Sequence, residues 1–271
     1  MTPLLVLIVS FALVGANVDG AKIHYSTHGT GLRTVFLVHG WSCDESVWQE
    51  QVPALQKNYR VVTLDLPGHG RSQPPRDGKF SMELFARAIE AVRRDVKADR
   101  IVLVGHSMGT PVIVQYARSY PQHVSALVFV DGVTAGNRNR PRHHGAEMAG
   151  PDGVAHREAM VQGMFSPNTN AALRQRILKM MLATPEATAV GALDATLAAT
   201  SHDEGVLALP VLAVYAEHSR QNARAYLESH YPRLQYVEMP GTGHFLMLEK
   251  PDEFNKLLVD FLNQQTRGTA P

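Results

Sequence analysis

Cysteine is almost missing from this chain: Cys43 stands alone among 271 residues. A single thiol excludes an intrachain disulfide, and it leaves the redox compartment unread. Cys43 itself reads as a small buried apolar residue rather than a catalytic thiol. An excess of one charge is lacking too, with 26 Lys and Arg against 25 Asp and Glu and a formal net charge of +1. That balance gives no electrostatic case for nucleic acid or an anionic membrane as partner. The apolar run Leu4–Val14 is too short to span a bilayer, so no stable membrane span is expected. Internal repeats and low-complexity tracts are absent, which excludes solenoids and fibrous arrays. The 13 histidines include no H-E-x-x-H or comparable metal spacing, so no metal or other cofactor is expected.

What the chain does hold is a core. Hydrophobic residues make up 45% and charged residues 19%, enough for one sizeable α/β domain with an insertion. Leu4–Val14, followed by small Gly15 and Ala16, fits the apolar stretch of a secretory signal peptide over residues 1–16. The expected compartment is then periplasmic or extracellular. The segment before the run has no Lys or Arg, and the competing reading is a first β-strand turned at Asp19-Gly20, in a cytoplasmic protein.

Past residue 20, strand and helix signals alternate, the pattern of a mostly parallel sheet covered on both faces. Strands are expected near 21–26, 34–38, 60–65, 101–105, 125–131, 210–216 and 234–238. Helices are expected near 45–57, 81–97, 109–119, 220–230 and 251–264. Between Asp131 and Pro210 the strand pattern stops. An insert of that size is too long for a plain loop. It predicts a helical cap over 135–205, set on a core of 17–134 and 206–271 and lying over the sheet edge where open α/β sheets place ligands. Its methionines, Met148, Met160, Met164, Met180 and Met181, suit either an apolar substrate pocket or packing within the cap. Its basic opening segment, Asn137–His144, reads as a solvated loop.

The most informative residues are Gly105-His106-Ser107-Met108-Gly109, set between the apolar run Ile101–Val104 and a helical stretch. A serine on a strand-to-helix turn with glycines two residues either side matches the nucleophile elbow G-x-S-x-G. Three further motifs surround it in order. They are His39-Gly40-Trp41 after a strand, Asp65-Leu66-Pro67-Gly68-His69-Gly70-Arg71-Ser72, and Gly241-Thr242-Gly243-His244-Phe245 before the last helix. With these motifs the chain resembles the serine hydrolases of the α/β-hydrolase fold, over nearly its whole length after residue 20. The resemblance implies an esterase- or lipase-like enzyme with a helical cap.

Chemistry fits those positions. A serine hydroxyl is a poor nucleophile near neutrality and needs a base, a role for which His244 is suited. A tetrahedral intermediate needs two aimed donors, which the backbone N–H groups of Trp41 and Met108 would supply. His39 reads as a brace for the oxyanion loop, and His69 and His106 as structural.

The acid departs from the family's usual pattern, because Ser219 stands where an aspartate is common after the 210–216 strand. Glu217, in the same loop, is the first candidate for the triad, and Asp131, at the end of the preceding strand, the second. The expected reaction is hydrolysis of a small apolar carboxylic ester or lactone through an acyl-enzyme. Peroxidase-like and carbon–carbon bond-cleaving reactions share these residues. A ligand-binding sensor with vestigial turnover is the alternative of a different class, favoured by the missing aspartate.

Overall fold

A computed structural model describes residues 15–134, 145–199, 205–217, 219 and 224–267. Most of the proposed leader and all of the basic segment 137–144 lie outside the described residues. Seven strands form one sheet in the order β3-β5-β4-β6-β7-β8-β9. They follow a small hairpin of β1 (Asn17–Val18) and β2 (Ala21–Lys22). The sheet comprises β3 (Tyr25–His28), β4 (Thr34–Val38), β5 (Arg60–Leu64), β6 (Ile101–His106), β7 (Val124–Val130), β8 (Pro210–Ala216) and β9 (Arg233–Met239). Only the edge strand β3 runs antiparallel; every other pairing is parallel.

Burial explains the order. Every residue of β4, β6 and β8 is buried, as continuous apolar runs demand when helices cover both faces. On the far edge, β9 is buried only at Met239. The helices are α1 (Val52–Leu55), α2 (Met82–Asp95), α3 (Gly109–Ser119), α4 (Gly153–Gln162), α5 (Ala171–Leu182), α6 (Glu186–Ala199), α7 (Arg224–His230), α8 (Leu246–Glu249) and α9 (Pro251–Arg267). Ser81 starts α2 by accepting a hydrogen bond from the Leu84 N–H, and the helix buries Phe85, Ile89 and Val92.

Two expected elements come out differently. The helix read over 45–57 is a 3₁₀ turn at Glu45–Trp48 followed by the single turn α1. Pro53 has no N–H to continue a helix from the preceding turn, so it is accommodated where α1 begins. The strand read over 21–26 is split at Ile23 and His24. Their N–H groups are drawn away to the Ala16 carbonyl at 2.9 Å and the Ser72 hydroxyl at 2.8 Å.

Between β7 and β8 the described chain is helical: a 3₁₀ turn at Gly145–Met148, then α4, α5 and α6. Met148 and Met181 are buried, while Met160, Met164 and Met180 are half-buried against the core. Among the described residues, no helix is long and apolar enough to cross a membrane.

Candidate active site

The elbow begins as strand geometry and ends as helix geometry, with one residue to make the change. β6 stops at His106, α3 starts at Gly109, and Ser107 is held at φ 52°, in the left-handed region that non-glycine residues avoid. Its backbone is fixed on both sides. Ser107 N–H donates to the Val130 carbonyl at 3.0 Å, and its carbonyl accepts from the N–H groups of Thr110 and Val133 at 3.0 and 3.2 Å. The flanking glycines are steric necessities. A Cβ on Gly105 would stand 2.5 Å from the Gly109 carbonyl oxygen, and one on Gly109 would stand 2.5 Å from that of Val38. Ser107 is buried, with 7% of its surface exposed.

His244, on the loop between β9 and α8, meets a carboxylate 113 residues away. Its Nδ1 lies 2.6 Å from Asp131 Oδ2, with both side chains almost wholly buried. Of the two carboxylates weighed from the sequence, the structure brings Asp131, and not Glu217, to His244. Glu217 is exposed, beyond the end of β8, and makes no bond to His244. Asp131 follows directly on β7 with φ 42°, a bend that carries its side chain off the strand direction. Its N–H donates to the Val214 carbonyl at 2.8 Å, and its Oδ1 accepts the Ala216 N–H at 3.0 Å. Ser219 is tied to the same turn through its N–H, which donates to the Ala216 carbonyl at 3.0 Å.

Among the described residues, Ser107 Oγ and His244 Nε2 make no hydrogen bond with each other or with other protein groups. A nucleophile–base contact of this kind commonly tightens only when substrate is bound. Around His244 the fixing contacts are to its backbone. His106 Nε2–H donates to the His244 carbonyl at 2.9 Å, and the two imidazoles pack with centroids 4.7 Å apart. Burial and the nearby His244 push His106 well below the usual histidine range, so it stays a neutral brace.

The loop at Gly40-Trp41, read from the sequence as the oxyanion loop, is set by His39. Its Nε2 accepts the Leu66 N–H at 2.9 Å, which leaves the proton on Nδ1, and Nδ1–H donates to the Gly40 carbonyl at 2.8 Å. Both ring nitrogens are thus committed to backbone. A Cβ on Gly40 would lie 3.0 Å from Ser107 Cβ, so this loop runs directly beside the elbow. Among the described residues, the backbone N–H groups of Trp41 and Met108 donate to no protein acceptor. The Trp41 indole points elsewhere: its Nε1–H donates to the Ala189 carbonyl of α6 at 2.7 Å. Thr184 adds a second tie from the cap, donating to the Ser42 carbonyl at 3.0 Å.

A cavity of about 650 Å³ lies away from this chemistry, between the cap and the β3–β5 edge. It is lined by Glu45, Asp65, Arg71 and Met180 among others, and by neither Ser107 nor His244. Its Glu45 carboxylate is already bonded to Ser26, Thr63, His24 and Arg71. No group of three or more His, Cys, Asp or Glu residues is placed to hold a metal among the described residues.

Known proteins resemble this chain in both sequence and shape. A pimeloyl-[acyl-carrier protein] methyl ester esterase of Yersinia enterocolitica is 28% identical over 259 residues, which is 90% of this chain and 98% of that one. A 2-hydroxy-6-oxononadienedioate/2-hydroxy-6-oxononatrienedioate hydrolase of Dechloromonas aromatica is 32% identical over 119 residues. There the match covers 42% of this chain and 41% of the relative's length. Among solved structures, a thermophilic esterase from Thermogutta terrifontis superposes with a TM-score of 0.81 at 24% identity, covering 93% of this chain and 97% of that one. An N-acyl homoserine lactone degrading enzyme superposes with a TM-score of 0.77 at 27% identity, over 91% of this chain and 99% of the other. The model of the alpha/beta hydrolase fold matches residues 33–188, and the chain belongs to that family.

Proposed function

We propose that this hydrolase cleaves a carboxylic ester or lactone through an acyl-enzyme on Ser107. His244 acts as general base and acid, Asp131 orients it, and the Trp41 and Met108 N–H groups bind the oxyanion. The observation that carries the reading is the 2.6 Å contact between His244 Nδ1 and Asp131 Oδ2. It holds the proton on Nδ1 and leaves Nε2 free to take one from serine. In the first half-reaction Ser107 Oγ bonds to the carbonyl carbon as its proton passes to Nε2. The carbon–oxygen bond to the alcohol then breaks and the alcohol leaves with that proton. Water repeats the sequence on the acyl-enzyme, releasing acid and restoring Ser107.

The relatives that act on a methyl ester and on a lactone support this substrate class. A second reading, hydrolysis of a carbon–carbon bond, is favoured by the match to the 2-hydroxy-6-oxononadienedioate hydrolase. The sensor reading rested on a missing acid, and the 2.6 Å contact to His244 supports Asp131 in that place. The test is a fluorophosphonate probe together with p-nitrophenyl esters of graded acyl length. Wild-type protein should be labelled at Ser107 and turn over repeatedly. Ser107→Ala should be unlabelled and slower by several orders of magnitude. Labelling elsewhere with activity retained would remove Ser107 from the mechanism, and a single burst without turnover would restore the sensor.

A further inference from the structure

We propose that Glu249 is a positioning residue for His244, clamping the histidine loop and a cap segment onto one carboxylate oxygen. The inference rests on the reading of His244 as the base. Glu249 is the last residue of α8, five positions after His244. Its Oε2 accepts two hydrogen bonds, from the Gly243 N–H at 3.0 Å and from the Ser166 hydroxyl at 2.9 Å. Gly243 directly precedes the histidine, whereas Ser166 lies in the segment joining α4 to α5 in the cap.

That segment is seated along the whole histidine loop. His244 N–H donates to the Met164 carbonyl at 2.9 Å, and Asn168 Nδ2 donates to the Gly241 carbonyl at 3.3 Å. Phe165 packs on Phe245 with centroids 6.3 Å apart. The fit leaves no spare room. A Cβ on Gly243 would stand 2.6 Å from Ser166 N, 2.8 Å from the Met164 oxygen and 2.9 Å from Glu249 Oε1. Among the described residues, Glu249 Oε1 is buried without a partner, so the carboxylate bears a desolvation cost that the two bonds at Oε2 offset.

The geometry explains what the clamp does. Acceptors on the N–H groups of Gly243 and His244 fix two successive peptide planes. A rotation of either plane would swing the imidazole relative to Ser107. Displacements near 1 Å at such a site cost on the order of 10²-fold in rate. The cap also supplies one of the two acceptors, so a cap seated wrongly misplaces the base.

The experiment measures kcat and KM for p-nitrophenyl butyrate, the fluorophosphonate labelling rate and Tm, on wild type, Glu249→Ala, Glu249→Gln and Ser166→Ala. Glu249→Ala should lose roughly 10- to 100-fold in kcat and in labelling rate, with KM within about twofold of wild type. Glu249→Gln should retain kcat within about threefold, because its amide oxygen can accept both bonds. Ser166→Ala, which spares the Gly243 bond, should fall between them. Loosening of the cap alone would instead raise KM. Wild-type kcat in a folded Glu249→Ala or in Ser166→Ala overturns the proposal, as does a folded Glu249→Gln no better than Glu249→Ala. A wild-type protein that neither labels nor hydrolyses the ester overturns the catalytic reading instead.

Discussion

Ala216 donates its backbone N–H to Asp131 Oδ1 at 3.0 Å, so the end of β8 holds the carboxylate that we propose as the acid. With Oδ2 on His244, both carboxylate oxygens are engaged and the side chain has one orientation. Asp131→Asn should therefore lower kcat by about 10⁴-fold, the size of the same exchange in a serine-protease triad. The amide can keep the Ala216 bond through its oxygen, but its NH₂ cannot accept from His244 Nδ1–H. Glu217→Gln should leave kcat within about twofold, as suits an exposed residue without a bond to the base. Steady-state kinetics on one chromogenic ester ranks the two variants, and the reverse order would return the acid to Glu217.

The fold was legible where one strand or helix carries its own signal. Continuous apolar runs marked β4, β6 and β8, and the glycines around Ser107 marked the elbow, because close approach leaves no room for a Cβ. Which of Asp131 and Glu217 meets His244 was not legible, because it depends on register. Val130 pairs with Val214 across two parallel strands separated by the cap. That pairing sets Asp131 beside Tyr215 and Ala216 and leaves Glu217 past the sheet edge. No local pattern encodes the register of strands so distant in sequence. Glu249 escaped notice for a similar reason: its partners Gly243 and Ser166 meet only once the cap has docked.

The elbow's backbone strain gives a second prediction. Ser107 is held at φ 52°, where a Cβ crowds the backbone and glycine does not. Ser107→Gly should therefore be more stable than Ser107→Ala by about 1 kcal/mol, despite the greater freedom of glycine in the unfolded chain. Both variants lack the Ser107 hydroxyl, so chemical denaturation compares them on equal terms. An alanine variant as stable as the glycine one would mean that the turn carries no such strain.

The cap and the loop proposed to bind the oxyanion are joined at Trp41, and the joint can be cut without removing the ring. Trp41→Phe keeps an aromatic body but takes away the indole N–H that reaches the Ala189 carbonyl at 2.7 Å. The buried carbonyl left behind costs about 1–3 kcal/mol. The loop carrying the Trp41 N–H should then aim less well at the oxyanion. Since losing one such donor costs about 10²–10³-fold, misdirecting it should lower kcat by roughly tenfold. Thermal denaturation and kcat should fall together. A lower Tm with unchanged kcat would show that the tie holds the cap and not the donor.

The last prediction concerns acid. His39, His69 and His106 are buried and neutral, each held below the ordinary histidine range chiefly by desolvation. For His69, burial and then the nearby His39, with ring centroids 5.1 Å apart, push the value down to about 3. Protonating His39 would also break the bond that its Nε2 accepts from Leu66. In the unfolded chain these rings take up protons near pH 6.5, whereas in the folded protein they do not. Below that pH the unfolded state binds more protons, so stability is complete above it and falls as pH drops towards the folded values. Each ring contributes at most about 1.4 kcal/mol per pH unit in that window. The carboxylates held low, Glu45 and Glu90, act only below their ordinary value of 4.5, so the two sets separate. The urea midpoint should therefore decline from pH 7 to pH 5, and His69→Asn, less stable at pH 7, should show a shallower decline. A midpoint that stays level across that range would show that these histidines take up protons without unfolding the chain.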